Sequence, residues 1–148
     1  MKYFTYEEFK NDTKKLINLV EDFEATAIVG IARGGLTLAH AMAEGLNIRE
    51  VQSIRTELYD GESKRNKITV FDNTTLSHLK KVLVVDDIAD SGETLAIVMQ
   101  HLKKKYPKLE FQSVTLFYKK TSLYEPHFWV NEANDWIDFF WERDFKLD

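Results

Sequence analysis

Residues 81–94 read KVLVVDDIADSGET, and the rest of the chain is best understood from them. Lys81 to Val85 is a β-branched apolar run of strand length. After it come Ser91, Gly92 and Thr94, just where Leu95, Val98, Met99 and Leu102 begin to recur at helical intervals. The expected order is strand, tight turn, helix. Three carboxylates, Asp86, Asp87 and Asp90, stand between the two elements. In an open parallel sheet the ligand crevice lies outside the carboxyl ends of the strands, so this strand delivers its acids to that edge. The small residues behind them open a helix, whose first N–H groups favour an anion. One turn therefore offers both signs of charge. The conflict disappears if the acids address hydroxyl groups or Mg²⁺ while the amides and hydroxyls take a phosphate; a phosphorylated sugar meets both demands.

The same alternation extends outward in both directions. TAIVGIA, residues 26–32, is a second apolar strand, followed by a Gly-Gly turn and a helix marked by Leu36, Ala39, Met42, Ala43 and Leu46. Thr5 and Glu8 have capping-box spacing, with Phe9, Leu16, Ile17 and Val20 behind them, and predict an opening helix. VQSIRTE (51–57), ITVFD (68–72) and FQSVTLFYKK (111–120) read as further strands, the last after a helix closed by Pro107. Residues 58–67 are polar and charged and read as a mobile loop, which would serve as a lid if the site must exclude water. From Pro126 onward the aromatics Trp129, Trp136, Phe139, Phe140 and Trp141 break the alternation and predict a small separate flap. The fold class is α/β with a parallel sheet.

Composition limits the chemistry. The length of 148 residues suits one domain, expected over 1–148, and 44% hydrophobic with 30% charged residues is ordinary globular usage. No apolar run approaches membrane-spanning length and no signal-type start is seen, so a cytoplasmic protein without a membrane partner is expected. The absence of cysteine removes disulfides, thiol nucleophiles and zinc ribbons. A net charge of −4 argues against a general nucleic-acid surface, and the lysines at 103–105 read as a solvated face. His40, His78, His101 and His127 show no metal-ligand spacing and read as packing or surface residues.

The run VLVVDDIADSGET resembles the signature of type I phosphoribosyltransferases, the loop that binds 5-phosphoribosyl-1-pyrophosphate (PRPP). No G-x-x-x-x-G-K-[ST] loop competes with it. The resemblance implies a mostly parallel twisted sheet flanked by helices, with a small aromatic-rich hood over about 120–148. It also implies Mg²⁺, with Asp86 and Asp87 holding the metal and the ribose hydroxyls. Ala89, Asp90, Ser91, Gly92, Glu93 (through its backbone) and Thr94 would complete the PRPP site, and Asp90 would be the catalytic proton acceptor. IARGG, residues 31–35, is similar to the family's pyrophosphate loop; it assigns pyrophosphate to Arg33 and Gly34 and implies a cis peptide between Ala32 and Arg33. Ala32 stands where members of the family often carry serine.

FYKK (117–120) and NDWIDFFWE (134–142) resemble the bacterial xanthine-guanine branch, with Phe140 in place of its usual proline. In that branch a strand-end lysine, Lys119 or its neighbour Lys120, bonds the purine 6-oxo group. Trp136 stacks on the base, and backbone groups near Ile137 read its edge. The implied activity is phosphoribosyl transfer from PRPP to a 6-oxopurine, releasing pyrophosphate, in a homo-oligomer (dimer or tetramer). Two rivals share the fold: a PRPP- or nucleotide-sensing regulator that binds nucleic acid, and a transferase for another acceptor.

Overall fold

The structure, a computed structural model, describes residues 1–60 and 66–147. Its elements are β1 (Lys2–Phe4), α1 (Tyr6–Val20), a 3₁₀ turn (Glu21–Phe23), β2 (Ala27–Ala32), α2 (Leu36–Leu46), β3 (Glu50–Asp60), β4 (Asn66–Asp72), β5 (Lys81–Val85), β6 (Ile88–Ala89), α3 (Glu93–Lys105), β7 (Glu110–Tyr118), β8 (Phe128–Glu132), β9 (Ile137–Phe139) and α4 (Phe140–Arg143). Residues 61–65 of the lid expected over 58–67 lie outside the described residues; residues 58–60 and 66–67 belong to β3 and β4.

A seven-stranded sheet runs β4-β3-β2-β5-β7-β6, with β8 on the other edge of β7. Every pairing in it is parallel except β3 with β4. The central strands β2 and β5 are buried on both faces, which is why they read as unbroken apolar runs. Their side chains alternate between two cores. Ile28, Leu83 and Val85 join α1 and α2 through Leu16, Leu38 and Met42. Ala27, Val29, Val82 and Val84 join α3 through Leu95, Val98 and Met99.

The capping box is formed: Glu8 N donates to Thr5 Oγ1 at 3.1 Å and Thr5 N donates to Glu8 Oε1 at 3.2 Å. Phe9, Leu16 and Val20 of this helix are buried. Lys103, Lys104 and Lys105 occupy the last turn of α3, where positive charge meets the negative helix end.

The hood is assembled from both ends of the chain. β9 pairs in parallel with β1, Lys2 opposite Ile137 and Phe4 opposite Phe139, making a second sheet of two strands. Phe4, Phe117, Phe139 and Trp141 lock it to the main core, the first two rings edge-to-face at 5.1 Å. Within the region expected as hood, β8 instead joins the main sheet beside β7. The link between these parallel strands, residues 119–127, contains no helix.

Candidate active site

β5 ends at Val85, and the chain stays anchored to β7 while it leaves regular pairing. Asp86 N donates to Val114 O at 3.0 Å, and Asp87 O accepts from Leu116 N and Phe117 N at 3.1 and 3.2 Å. β6 then resumes in the same register. The two acids are thus held at the carboxyl edge of the sheet by backbone bonds that do not involve their side chains. Asp87 is buried, 8% exposed, and donates its N–H to Asp86 Oδ1 at 2.8 Å. Burial raises the pKa of both carboxyls; the charge of Asp87 adds to the effect on Asp86, and that of Glu142 to the effect on Asp87.

Behind the pair sits the IARGG turn, with a cis peptide between Ala32 and Arg33. A Cβ on Gly34 would press into the Asp87 carboxylate, 2.8 Å from its Cγ, so only glycine permits this approach. Arg33 is exposed and lies outside the walls of the two cavities described next. Its charge reaches Glu142, whose pKa burial and Asp138 raise and which Lys146 and Arg33 pull back down.

Two cavities share Asp87, Ile88 and Asp90. The smaller, about 230 Å³, follows the turn from Asp86 to Leu95 and includes Ala89, Ser91, Gly92 and Thr94. Gly92 has φ +85°, the left-handed conformation that lets the chain enter α3 directly after Ser91, whose Oγ accepts from Glu93 N at 3.2 Å. The larger, about 390 Å³, is bounded by Lys119, Asn134, Trp136, Ile137 and Glu142 among others. Lys119 Nζ stands 3.6 Å from Asp90 Oδ1, whereas Lys120 turns away to Glu132 at 3.5 Å. Trp136 is 66% exposed at the rim, and Ile137 is buried. Asp135, next to Trp136, accepts from Trp136 N at 2.7 Å and pairs with the N-terminal ammonium, while Lys2 N donates to Trp136 O at 2.9 Å.

The structure therefore gathers Asp86, Asp87, Ala89, Asp90, Ser91, Gly92, Thr94, Lys119, Trp136 and Ile137 around one crevice, with Gly34 beneath it and Arg33 at its margin. Sequence reasoning assigned no role to Glu142, Asn134 or Asp135, although all three lie in the NDWIDFFWE stretch.

The donor set suits Mg²⁺. It offers hard carboxylate oxygens at a dehydrated spot, and such an ion needs only one or two of them when substrate phosphates supply the rest.

An acid pair and a helix-opening turn at the carboxyl edge of a parallel sheet, beside a cavity walled by an aromatic and a lysine, define an α/β enzyme for a phosphorylated sugar and a flat second substrate. Known proteins narrow that class. The family described as phosphoribosyl transferase domain matches residues 6–147. The xanthine-guanine phosphoribosyltransferase of Idiomarina loihiensis is 32% identical over 145 residues, 95% of this chain and 86% of that protein. Among solved structures, Helicobacter pylori xanthine-guanine-hypoxanthine phosphoribosyltransferase superposes with a TM-score of 0.91 at 37% identity, covering 97% of this chain and 94% of that one. The purine phosphoribosyltransferase of Pyrococcus horikoshii gives 0.86 at 27% identity, covering 99% and 96%. The chain belongs to the phosphoribosyl transferase domain family, and its fold is that of the type I phosphoribosyltransferases.

Proposed function

We propose that this enzyme transfers the 5-phosphoribosyl group of PRPP to a 6-oxopurine, xanthine, guanine or hypoxanthine, in purine salvage. The observation that carries the proposal is the shared cavity: Lys119 and Trp136 stand in the wall that also contains Asp87 and Asp90. Lysine only donates, so it favours a 6-oxo group over the 6-amino group of adenine, and the indole supplies a stacking face.

In the reaction a purine nitrogen forms a bond to the anomeric carbon as the bond from that carbon to pyrophosphate breaks, the electron pair leaving with the pyrophosphate oxygen. Asp90 accepts the purine proton, and its negative charge favours the positive charge that grows on the sugar. Ser91, Gly92, Glu93 and Thr94 hold the 5-phosphate at the start of α3, and Arg33 and Gly34 hold the pyrophosphate. Asp86 and Asp87 orient the ribose hydroxyls and would hold Mg²⁺, which when bound supplies compensation for the departing negative charge. The hood excludes water from the reacting carbon. The same reading makes the enzyme a cytoplasmic homo-oligomer, to be checked by light scattering.

The test is pyrophosphate release from PRPP and Mg²⁺ with xanthine, guanine, hypoxanthine, adenine, uracil and orotate in turn. Turnover confined to the first three is expected; turnover with adenine or a pyrimidine alone, or with none, overturns the proposal. Asp90→Asn should then lower kcat far more than it raises the KM for PRPP.

A further inference from the structure

The link between β7 and β8 is laid directly across the catalytic turn. Lys119 N donates to Ala89 O at 3.0 Å and Leu123 N donates to Ser91 O at 2.9 Å, so two backbone bonds bracket Asp90 from either side. Between them the link folds back on itself: Ser122 N donates to Lys119 O at 2.8 Å. Ser122 Oγ donates to Tyr124 O at 2.9 Å and accepts from Tyr124 N at 3.3 Å. The segment also presses on the phosphate turn. A Cβ on Gly92 would come within 2.8 Å of Tyr124 N and closer still to Ser122 Oγ. Leu123 is 64% exposed, so burial of its side chain does not hold the strap in place. Tyr124 packs against the core and two main-chain bonds reach the turn, while the hydrogen bonds that fold the strap on itself between those points converge on Ser122.

We propose that Ser122 is a positioning residue that clamps the Ala89–Gly92 turn and ties it to Lys119, so that the 5-phosphate, the proton acceptor Asp90 and the base-facing lysine are set by one strap. The inference rests on the activity proposed above and deepens it. Its consequence is coupling: a phosphate seated on the turn stiffens the strap that carries Lys119, and so tightens the purine site.

The test compares Ser122→Ala with Tyr124→Phe. The second variant leaves Ser122 and Leu123 in place and removes only the Tyr124 hydroxyl, which lies 3.2 Å from Ser113 Oγ within β7, away from the turn. Each purified protein is assayed with hypoxanthine and PRPP, its binding of ribose 5-phosphate is measured by calorimetry, and its thermal midpoint is recorded. Ser122→Ala should raise the KM for PRPP and the Kd for ribose 5-phosphate about fivefold. It should also shrink the amount by which saturating ribose 5-phosphate tightens hypoxanthine binding. Tyr124→Phe should leave all three within about twofold, whatever its effect on the thermal midpoint. A Ser122→Ala enzyme with unchanged KM and Kd, or equal kinetic losses in both variants, would show a merely structural link and overturn the inference. An inactive wild-type protein would instead count against the proposed reaction, and the ribose 5-phosphate measurement would still judge the strap.

Discussion

Gly34→Ala isolates the closest approach in the site. The backbone at Gly34 is not left-handed, Gly92 being the glycine with positive φ among the described residues, so alanine suits the local conformation and its effect is purely steric. The new Cβ would lie 2.8 Å from Cγ and 3.0 Å from Oδ1 of Asp87, and nearer still to Oδ2. Restoring ordinary contact at about 3.4 Å or more requires the carboxylate or the Arg33–Gly35 turn to move by roughly 1 Å. Asp87 is buried on the protein side and can swing only into the crevice, where the proposed reaction puts the sugar and the metal. A displacement of that size in a positioning group costs about 100-fold in kcat/KM, whereas the overpacking itself costs about 1–3 kcal/mol, a few degrees of thermal midpoint in a domain this large. The assay is pyrophosphate release under varied PRPP and Mg²⁺, run beside a thermal melt. Gly35→Ala is the contrast. Its Cβ meets backbone, 2.9 Å from Asp86 Cα and from Ile31 O, which cannot rotate away, so stability rather than selective activity should suffer. A Gly34→Ala enzyme within threefold of wild type in kcat/KM would refute the argument that the Asp87 carboxylate is placed by this contact and used in that place.

Lys119→Gln should raise the KM for hypoxanthine at least about tenfold, while Lys120→Gln, which loses only the exposed pair with Glu132, should stay within about twofold; the reverse order would move the base contact by one residue. Trp136→Ala should weaken purine binding by about 1–3 kcal/mol with little change in thermal midpoint, because the ring is largely exposed; paired purine KM and melting measurements check this, and a large stability loss would make it a core residue. Asp72 should support the fold near neutral pH. Burial alone would raise its pKa, but the Thr74 hydroxyl and amide on Oδ1 at 2.5 and 2.7 Å, with His101 and Lys105 on Oδ2 at 2.7 and 3.1 Å, hold it at about 2. A depressed acid stabilises above its unfolded pKa and loses that contribution as pH falls toward the folded one. The deficit of Asp72→Asn, on the order of 2 kcal/mol near pH 7, should therefore close between about pH 4 and 2; melts showing a constant deficit would refute it.

The parts of the fold that could be read in advance are those whose signals are local. Thr5 and Glu8 announce α1 because both halves of the cap lie within one turn. The acids and Gly92 announce the acidic turn because strand, turn and helix start are contiguous there. β1 carries too few residues to show a period, and its partner β9 lies at the other end of the chain, so the opening of the sequence predicts α1 but not the strand before it. β8 was masked by its aromatics: Phe128 and Trp129 resemble the flap that follows, yet they pair with Val114 and Thr115 across a connection that has no helix to advertise it. Whether Lys119 or Lys120 faces the site depends on the side-chain phase at the end of β7, which a run of two identical residues cannot report. Glu142 matters through the chain that folds α4 back toward Asp87, a tertiary fact with no local sequence signal.

What unites the acid pair and the glycines packed around it is that each departs from what stability alone would choose. Asp86 and Asp87 are adjacent carboxylates whose pKa values burial raises. An acid with a raised folded pKa adds stability below its unfolded pKa and loses it as pH rises through the folded value, so near neutrality the pair opposes folding. Gly92 is in a left-handed turn, and Gly34 and Gly35 sit where any side chain would collide. The compensation lies one layer away. β5, between β2 and β7, is buried almost throughout, and bonds to Val114, Leu116 and Phe117 hold the backbone of both acids without using their side chains. The carboxylates thus remain available to a cation and to sugar hydroxyls, and ligands that neutralise them should stabilise the enzyme at the pH where the free site costs it most.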